Sequence, residues 1–236
     1  MSYNKTRSRS KQQLHDGVKM MSTLYFFFEI LGTVAFAVSG TIIGIRHKMD
    51  VFGVLVMSVI TAVGGGIFRD LLLGNIPPTS LKSPIFITIS SIASILAMLI
   101  FSITKSKRNH FNILKITRFY NFLLLVSDAI GLGIFTVLGI DAGIAKGYGH
   151  NYFFIIFLGV LTGVGGGMIR DIIANQIPMI FRENIYAVSC IIGGCLYVLI
   201  LPELNHSLAL LLSVLCIIII RIVSETQKIN LPRMDY

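Results

Sequence analysis

Seven stretches of about twenty mostly apolar residues, separated by short polar breaks, leave this chain one solvent to fold in. A bilayer core about 30 Å thick is crossed by about 20 helical residues at a rise of about 1.5 Å each. Stretches of that length fall at about 24–45, 51–73, 83–104, 120–140, 152–174, 185–201 and 207–223. Of the 236 residues, 54% are apolar and 13% charged, against about 25% charged in a soluble domain. That balance rules out a disordered chain and weighs strongly against a soluble domain, and the breaks are too short to hold a separate catalytic domain. The expected fold is an all-α integral membrane protein with seven transmembrane helices.

The net charge of +9 raises the question of a nucleic-acid partner, and the positions of the charges answer it. Arg46, Lys48, Lys105, Lys107, Arg108, Lys115, Arg118, Arg182, Arg221, Lys228 and Arg233 fall on one side of the seven spans. Lys5, Arg7, Arg9, Lys11, Lys19, Lys82 and Lys146 fall on the other. Eleven against seven favours a cytoplasmic carboxyl terminus and an external amino terminus in the cell's inner (plasma) membrane, so the basic loops need no nucleic acid. Residues 1–23 form a basic segment expected to be disordered, its charges either touching anionic lipid or simply solvated with no role. Ala35-Phe36-Ala37 has the look of a leader cleavage site, but the apolar run continues past it, contains Glu29 and has a later counterpart, so the segment reads as a retained span.

That counterpart belongs to an internal repeat. Thr61 to Asp70, containing Gly64-Gly65-Gly66 and Arg69-Asp70, aligns with Thr162 to Asp171, containing Gly165-Gly166-Gly167 and Arg170-Asp171, at an offset of 101 residues. Upstream, Glu29, Gly32, Phe36, Val38 and Gly40 align with Asp128, Gly131, Phe135, Val137 and Gly139. Two units of three helices follow, 24–104 and 120–201, joined by a basic loop at 105–119 and followed by a seventh helix at 202–223 and a tail at 224–236. Three is odd, so the second unit enters the membrane from the opposite face and the repeats are inverted, an architecture that transporters use with the pathway at the repeat interface.

Three successive glycines cost about 3 kcal/mol of helix preference, and the chain carries such a triplet twice. Close packing of helix backbones through small residues is one use for them. The reading taken here is a kink that exposes backbone groups to a water-filled passage, to which Ser58, Thr61 and Thr162 add hydroxyls. Arg69 and Arg170 need partners at that depth. Residues one apart on a helix do not face each other, which argues against Asp70 and Asp171. Depth favours Glu29 for Arg69 and Asp128 for Arg170, in hydrated contacts; the alternative is that both arginines snorkel to the headgroups.

The remaining candidates point away from chemistry. Cys190, Cys195 and Cys216 lie in apolar runs without CxxC spacing and read as small hydrophobes rather than metal ligands. His47, His110 and His206 fall in short loops and read as solvated. Tyr120, Tyr148, Tyr152 and Tyr236 suit the membrane interface. No HExxH, GxSxG or cofactor motif is present, so no metal, cofactor or enzymatic role is expected.

The doubled GGGxxRD, with Asp50-Val51-Phe52-Gly53 before the first copy, Leu71-Leu72-Leu73-Gly74 after it and Ser127-Asp128-Ala129 opening the fourth span, resembles the prokaryotic trimeric intracellular cation channels, also known as membrane proteins with paired glycine transporter domains. The likeness covers about residues 24–223. It implies a seven-helix protomer, an hourglass path kinked at the glycines of spans 2 and 5, a homotrimer, and passage of monovalent cations such as potassium. The lysine-rich motif and long basic tail of vertebrate members are not evident, so their lipid regulation does not carry over. From chemistry alone the permeant species stays open. Freed carbonyls favour a cation, freed amides an anion, and a small zwitterionic solute such as glycine can use both.

Overall fold

A computed structural model describes residues 2–106, 113–182 and 185–228, with side chains described over 23–103, 117–182 and 185–228. Every regular element among the described residues is helical: α1 (Ser2–Arg46), α2 (Val51–Leu72), α3 (Thr79–Lys82), α4 (Ile85–Ser106), α5 (Ile113–Gly143), a π-helical turn at Ile144–Tyr148, α6 (Tyr152–Ile173), α7 (Met179–Arg182), α8 (Tyr186–Ile200) and α9 (His206–Thr226). Among the described residues six helices are long and apolar enough to cross a membrane, and α8 is a shorter apolar helix of 15 residues. The expected sixth span, at 185–201, is therefore represented by a rod of about 22 Å, bounded by α7 at one end and by Pro202 just beyond the other. His110, Tyr236 and the centre of the basic loop lie outside the described residues.

The two triplet-bearing helices begin and end alike. Asp50 caps α2 by accepting from the Gly53 amide at 2.7 Å, and Asn151 caps α6 by accepting from the Phe154 amide at 3.1 Å, satisfying donors that an open helix end leaves unpaired. Past their last turns, Gly74 (φ +70°) and Asn175 (φ +54°) take the left-handed conformation. The following amides, of Asn75 and Gln176, then return to the carbonyls of Asp70 and Asp171 at 2.8 and 2.9 Å, a helix-ending turn that glycine enters most easily and asparagine next. A one-turn helix then follows each, α3 after α2 and α7 after α6, which the polar breaks did not announce.

Helix α2 packs on α1, α4 and α6, while α5 packs on α1, α6, α8 and α9. At the centre, α2 crosses α6 through the glycines. A Cβ on Gly65 would stand 2.0 Å from the Thr162 carbonyl oxygen, and one on Gly166 would stand 2.0 Å from that of Thr61. Only glycine admits so close a crossing. Gly64 faces Ile169, and Gly165 faces Phe68 and Gly65.

The expected passage does not break either helix. Both α2 and α6 are α-helical without interruption through their triplets, because backbone-to-backbone packing at the crossing compensates for the helix preference that glycine lacks. Helix α1 runs from Ser2 and so includes the basic segment. One further expectation is corrected. Helix α5 runs past residue 140, the expected end of the fourth span and start of a loop, through Asp141, which is buried and bonded to Tyr197.

Candidate functional site

Each triplet divides its labour. The first two glycines make the crossing, and the third faces an arginine three residues on. The Cβ position of Gly66 lies 3.9 Å from Arg69 Nη2, and that of Gly167 lies 3.5 Å from Arg170 Nη2 and 3.7 Å from Asp128 Oδ1. The molecule thus holds two charged corners, one beside each triplet.

At the second corner Arg170 is fully buried. Its Nη1 donates to Asp128 Oδ1 at 2.6 Å and to Ser39 Oγ, and its Nε donates to Asp171 Oδ1 at 2.9 Å. Asp171 Oδ2 accepts the Met179 amide at 2.9 Å, fixing α7. Tyr186 closes the corner, its hydroxyl 3.0 Å from the Cβ position of Gly167, and the Arg221 guanidinium lies 4.9 Å over its ring. Four charged groups in a buried space are tolerable because each acid faces a base.

At the first corner the geometry begins the same way. Arg69 Nε donates to Asp70 Oδ1 at 2.9 Å, and Asp70 Oδ2 accepts the Thr79 amide at 2.7 Å. Adjacent residues thus do pair in both halves, against the sequence expectation. The rule on neighbouring residues concerns Cβ directions, and a long Arg side chain curls round the helix end toward an aspartate that the next short helix holds in place. Glu29 makes no bonded ion pair with Arg69. The two line a cavity of about 30 Å³ together with Thr33, Gly66, Asp70, Thr79, Ser80, Phe86 and Phe135.

Four of those residues, Glu29, Arg69, Asp70 and Thr79, also line a wide vestibule of about 560 Å³ with Tyr25, Asn75, Asp141, Lys146 and His206. Lys146 Nζ donates to Asn75 Oδ1 at 2.8 Å across it. Tyr197 donates to Asp141 Oδ1 at 2.5 Å, and His206 Nε2 stands 3.1 Å from the Tyr197 hydroxyl and 3.4 Å from Asp141 Oδ2. His206 is thus bonded into a cluster rather than loosely solvated, whereas His47 is exposed, with Gln176 at 2.9 Å. Between the two corners, Phe135 floors the small cavity and stacks on Phe36 at 5.4 Å, and Phe36 reaches within 3.6 Å of the Cβ position of Gly166.

The expected hydroxyl lining is not assembled. Thr61 and Thr162 donate to their own helices at Met57 and Leu158, and Ser58 donates to the Ala37 and Ser90 carbonyls; all three are buried. Tyr120 is half-buried and Tyr148 and Tyr152 are exposed. The three cysteines are free thiols. Sequence reasoning missed Ser39, Tyr186 and Arg221 at the second corner and Tyr197 beside the vestibule. Of these only Arg221 carried a signal, as a charge inside an apolar run.

The model of the glycine transporter family matches residues 26–102 and 125–202. The chain is 38% identical over 174 residues to the UPF0126 inner membrane protein YadS of Escherichia coli (strain K12), covering 74% of this chain and 77% of that protein. It is similar to the structure described as the "structural basis for conductance through TRIC cation channels" at TM-score 0.72 and 34% identity, over 89% of this chain and 97% of that one. It is also similar to a prokaryotic TRIC channel crystallised in 0.5 M KCl, at TM-score 0.78 and 32% identity over 89% and 100%. This multi-pass membrane protein belongs to the prokaryotic trimeric intracellular cation channel family, the membrane proteins with paired glycine transporter domains.

Proposed function

We propose that the protein is a cation channel of the inner membrane, permeable to monovalent cations such as potassium, with one path inside each protomer of a homotrimer. The observation that carries this reading is the vestibule that narrows onto the charged cavity beside the first glycine triplet, in a chain similar along most of its length to solved cation channels. In this arrangement the path is shut. Phe135, in the cavity wall, stacks on Phe36, which packs over Gly166 at the α2–α6 crossing, and conduction requires the two triplets to part.

The same reading treats 24–104 and 120–201 as inverted three-helix units, counts α8 as a sixth crossing and α9 as the seventh, and sets the amino terminus outside and the carboxyl terminus in the cytoplasm. Their matched caps, left-handed exits and reciprocal glycine contacts support the duplication. Gly64, Gly65, Gly66, Gly165, Gly166 and Gly167 then form the hinge of the path, and Ser58, Thr61 and Thr162 gain water-facing positions only when it opens.

Purified protein in liposomes, assayed side by side for potassium flux and for uptake of labelled glycine, tests the proposal. Unitary currents and potassium flux without saturable glycine uptake support the channel; saturable uptake without currents replaces it with the carrier that the family model's name suggests. A carboxyl-terminal reporter active only in the cytoplasm tests the orientation.

A further inference from the structure

The two charged corners differ in how their charges balance. The second holds Arg170 and Arg221 with Asp128 and Asp171, two cations and two anions among its buried side chains; Glu225, 3.4 Å from Arg221, is exposed at the end of α9. The first holds Arg69 with Glu29 and Asp70, one cation and two anions. Arg69 and Asp70 are bonded to each other, which leaves the Glu29 carboxylate without a bonded counter-charge among the described residues.

An independent observation points into the same space. Ser80 is 8% exposed and its buried hydroxyl has no hydrogen-bond partner, yet it lines the 30 Å³ cavity with Glu29 and Thr33. Buried hydroxyls are almost always bonded. A cavity of that volume admits one or two particles of the size of water, and a potassium ion is about that size. Phe86 stands in the cavity wall where Tyr186 closes the other corner, and the first unit has no helix equivalent to α9 to supply an arginine.

We propose that this cavity is a binding site for one monovalent metal cation, held by the Glu29 carboxylate and the Ser80 hydroxyl and reached from the vestibule, and that in the second half the fixed charge of Arg221 takes the place of the mobile ion. The proposal deepens the channel reading and rests on it for the identity of the ion. It differs from that reading in being a statement about equilibrium occupancy, which flux does not measure.

The test uses the full-length protein in detergent. Thermal unfolding midpoints are compared in potassium chloride and in N-methyl-D-glucamine chloride at equal ionic strength, and thallium(I) is located by anomalous diffraction. The expected result is a higher midpoint in potassium for the unaltered protein, a thallium peak between Glu29 and Ser80, and loss of both in Glu29→Gln. Ser80→Ala should weaken the apparent potassium affinity about five-fold, the equivalent of one hydrogen bond, and it tests the same cavity if Glu29→Gln fails to fold. Equal midpoints in the two salts, a potassium effect retained in Glu29→Gln or undiminished in Ser80→Ala, or a thallium peak elsewhere overturns the proposal. Potassium flux in liposomes without cation stabilisation removes the site and keeps the channel; stabilisation with the thallium peak but without flux keeps the site and removes the channel.

Discussion

Arg69 and Arg170 stand three residues after matching glycine triplets, on helices with matching caps and matching exits, and each bonds the aspartate that follows it. Yet Arg170 is 0% exposed and tied to Asp128, Asp171 and Ser39, whereas Arg69 is 12% exposed beside a cavity. The local sequence is nearly the same, so the difference comes from what is packed against it. Helices α8 and α9 bring Tyr186 and Arg221 to one corner, while the other meets Phe86 and an open vestibule. A repeated motif specifies a backbone frame; whether the frame becomes a seal or an opening is decided by its neighbours.

The largest expected effect tests what the halves share. Gly65→Ala and Gly166→Ala each place a methyl 2.0 Å from a backbone carbonyl oxygen. Both should destabilise by more than about 3 kcal/mol, at or above the upper end for overpacking, seen as loss of monodisperse protein on size-exclusion chromatography. Tolerance of either would show that the crossing is looser than its geometry. Flux assays on leucine variants at these positions would then report assembly rather than permeation.

The next effect tests the asymmetry itself. Asp128→Asn leaves Arg170 short of a buried partner and should cost about 3–5 kcal/mol. Glu29→Gln removes no bonded pair and should cost less than about 1 kcal/mol, both read from unfolding in detergent. Equal costs would sink the comparison. Smaller again is Tyr197→Phe, which removes the bond to the buried Asp141 carboxylate beside the vestibule; a bond to a charged acceptor is worth about 1.5–3 kcal/mol, and the variant's midpoint should fall accordingly. Smallest is Asn175→Gly. The residue sits at φ +54° where the first half has Gly74, so the change should stabilise by up to about 1 kcal/mol; a lower midpoint would mean that the asparagine side chain contributes there.

Much of this was readable in the chain. The apolar ruler found the six helices long enough to cross a membrane and the shorter α8, and the spacing of Gly64 and Gly165 from Arg69 and Arg170 found the duplication. Reasoning from depth put Asp128 beside Arg170. The same reasoning for Glu29 located the right corner but not a bond, because Asp70 is held for Arg69 by the Thr79 amide, a contact from a one-turn helix that leaves no periodic signal. Ser39 and Tyr186 were invisible for a different reason. Both reach the second corner across the packed interior, and no local pattern encodes which distant helix face will meet them. Asp141 misled because a carboxylate near glycines looks like a turn when its partner, Tyr197, is 56 residues away.

Ser39 belongs to the first unit, and both Arg170, which donates to its hydroxyl, and Asp128, which accepts from it, belong to the second. Phe36 likewise fills the space over Gly131 and Gly166. Neither unit therefore finishes its interior by itself. Cut in the connecting segment, the two pieces would have to be synthesised together to mature, each acting as the other's scaffold, and the intact polypeptide should melt in one step rather than two.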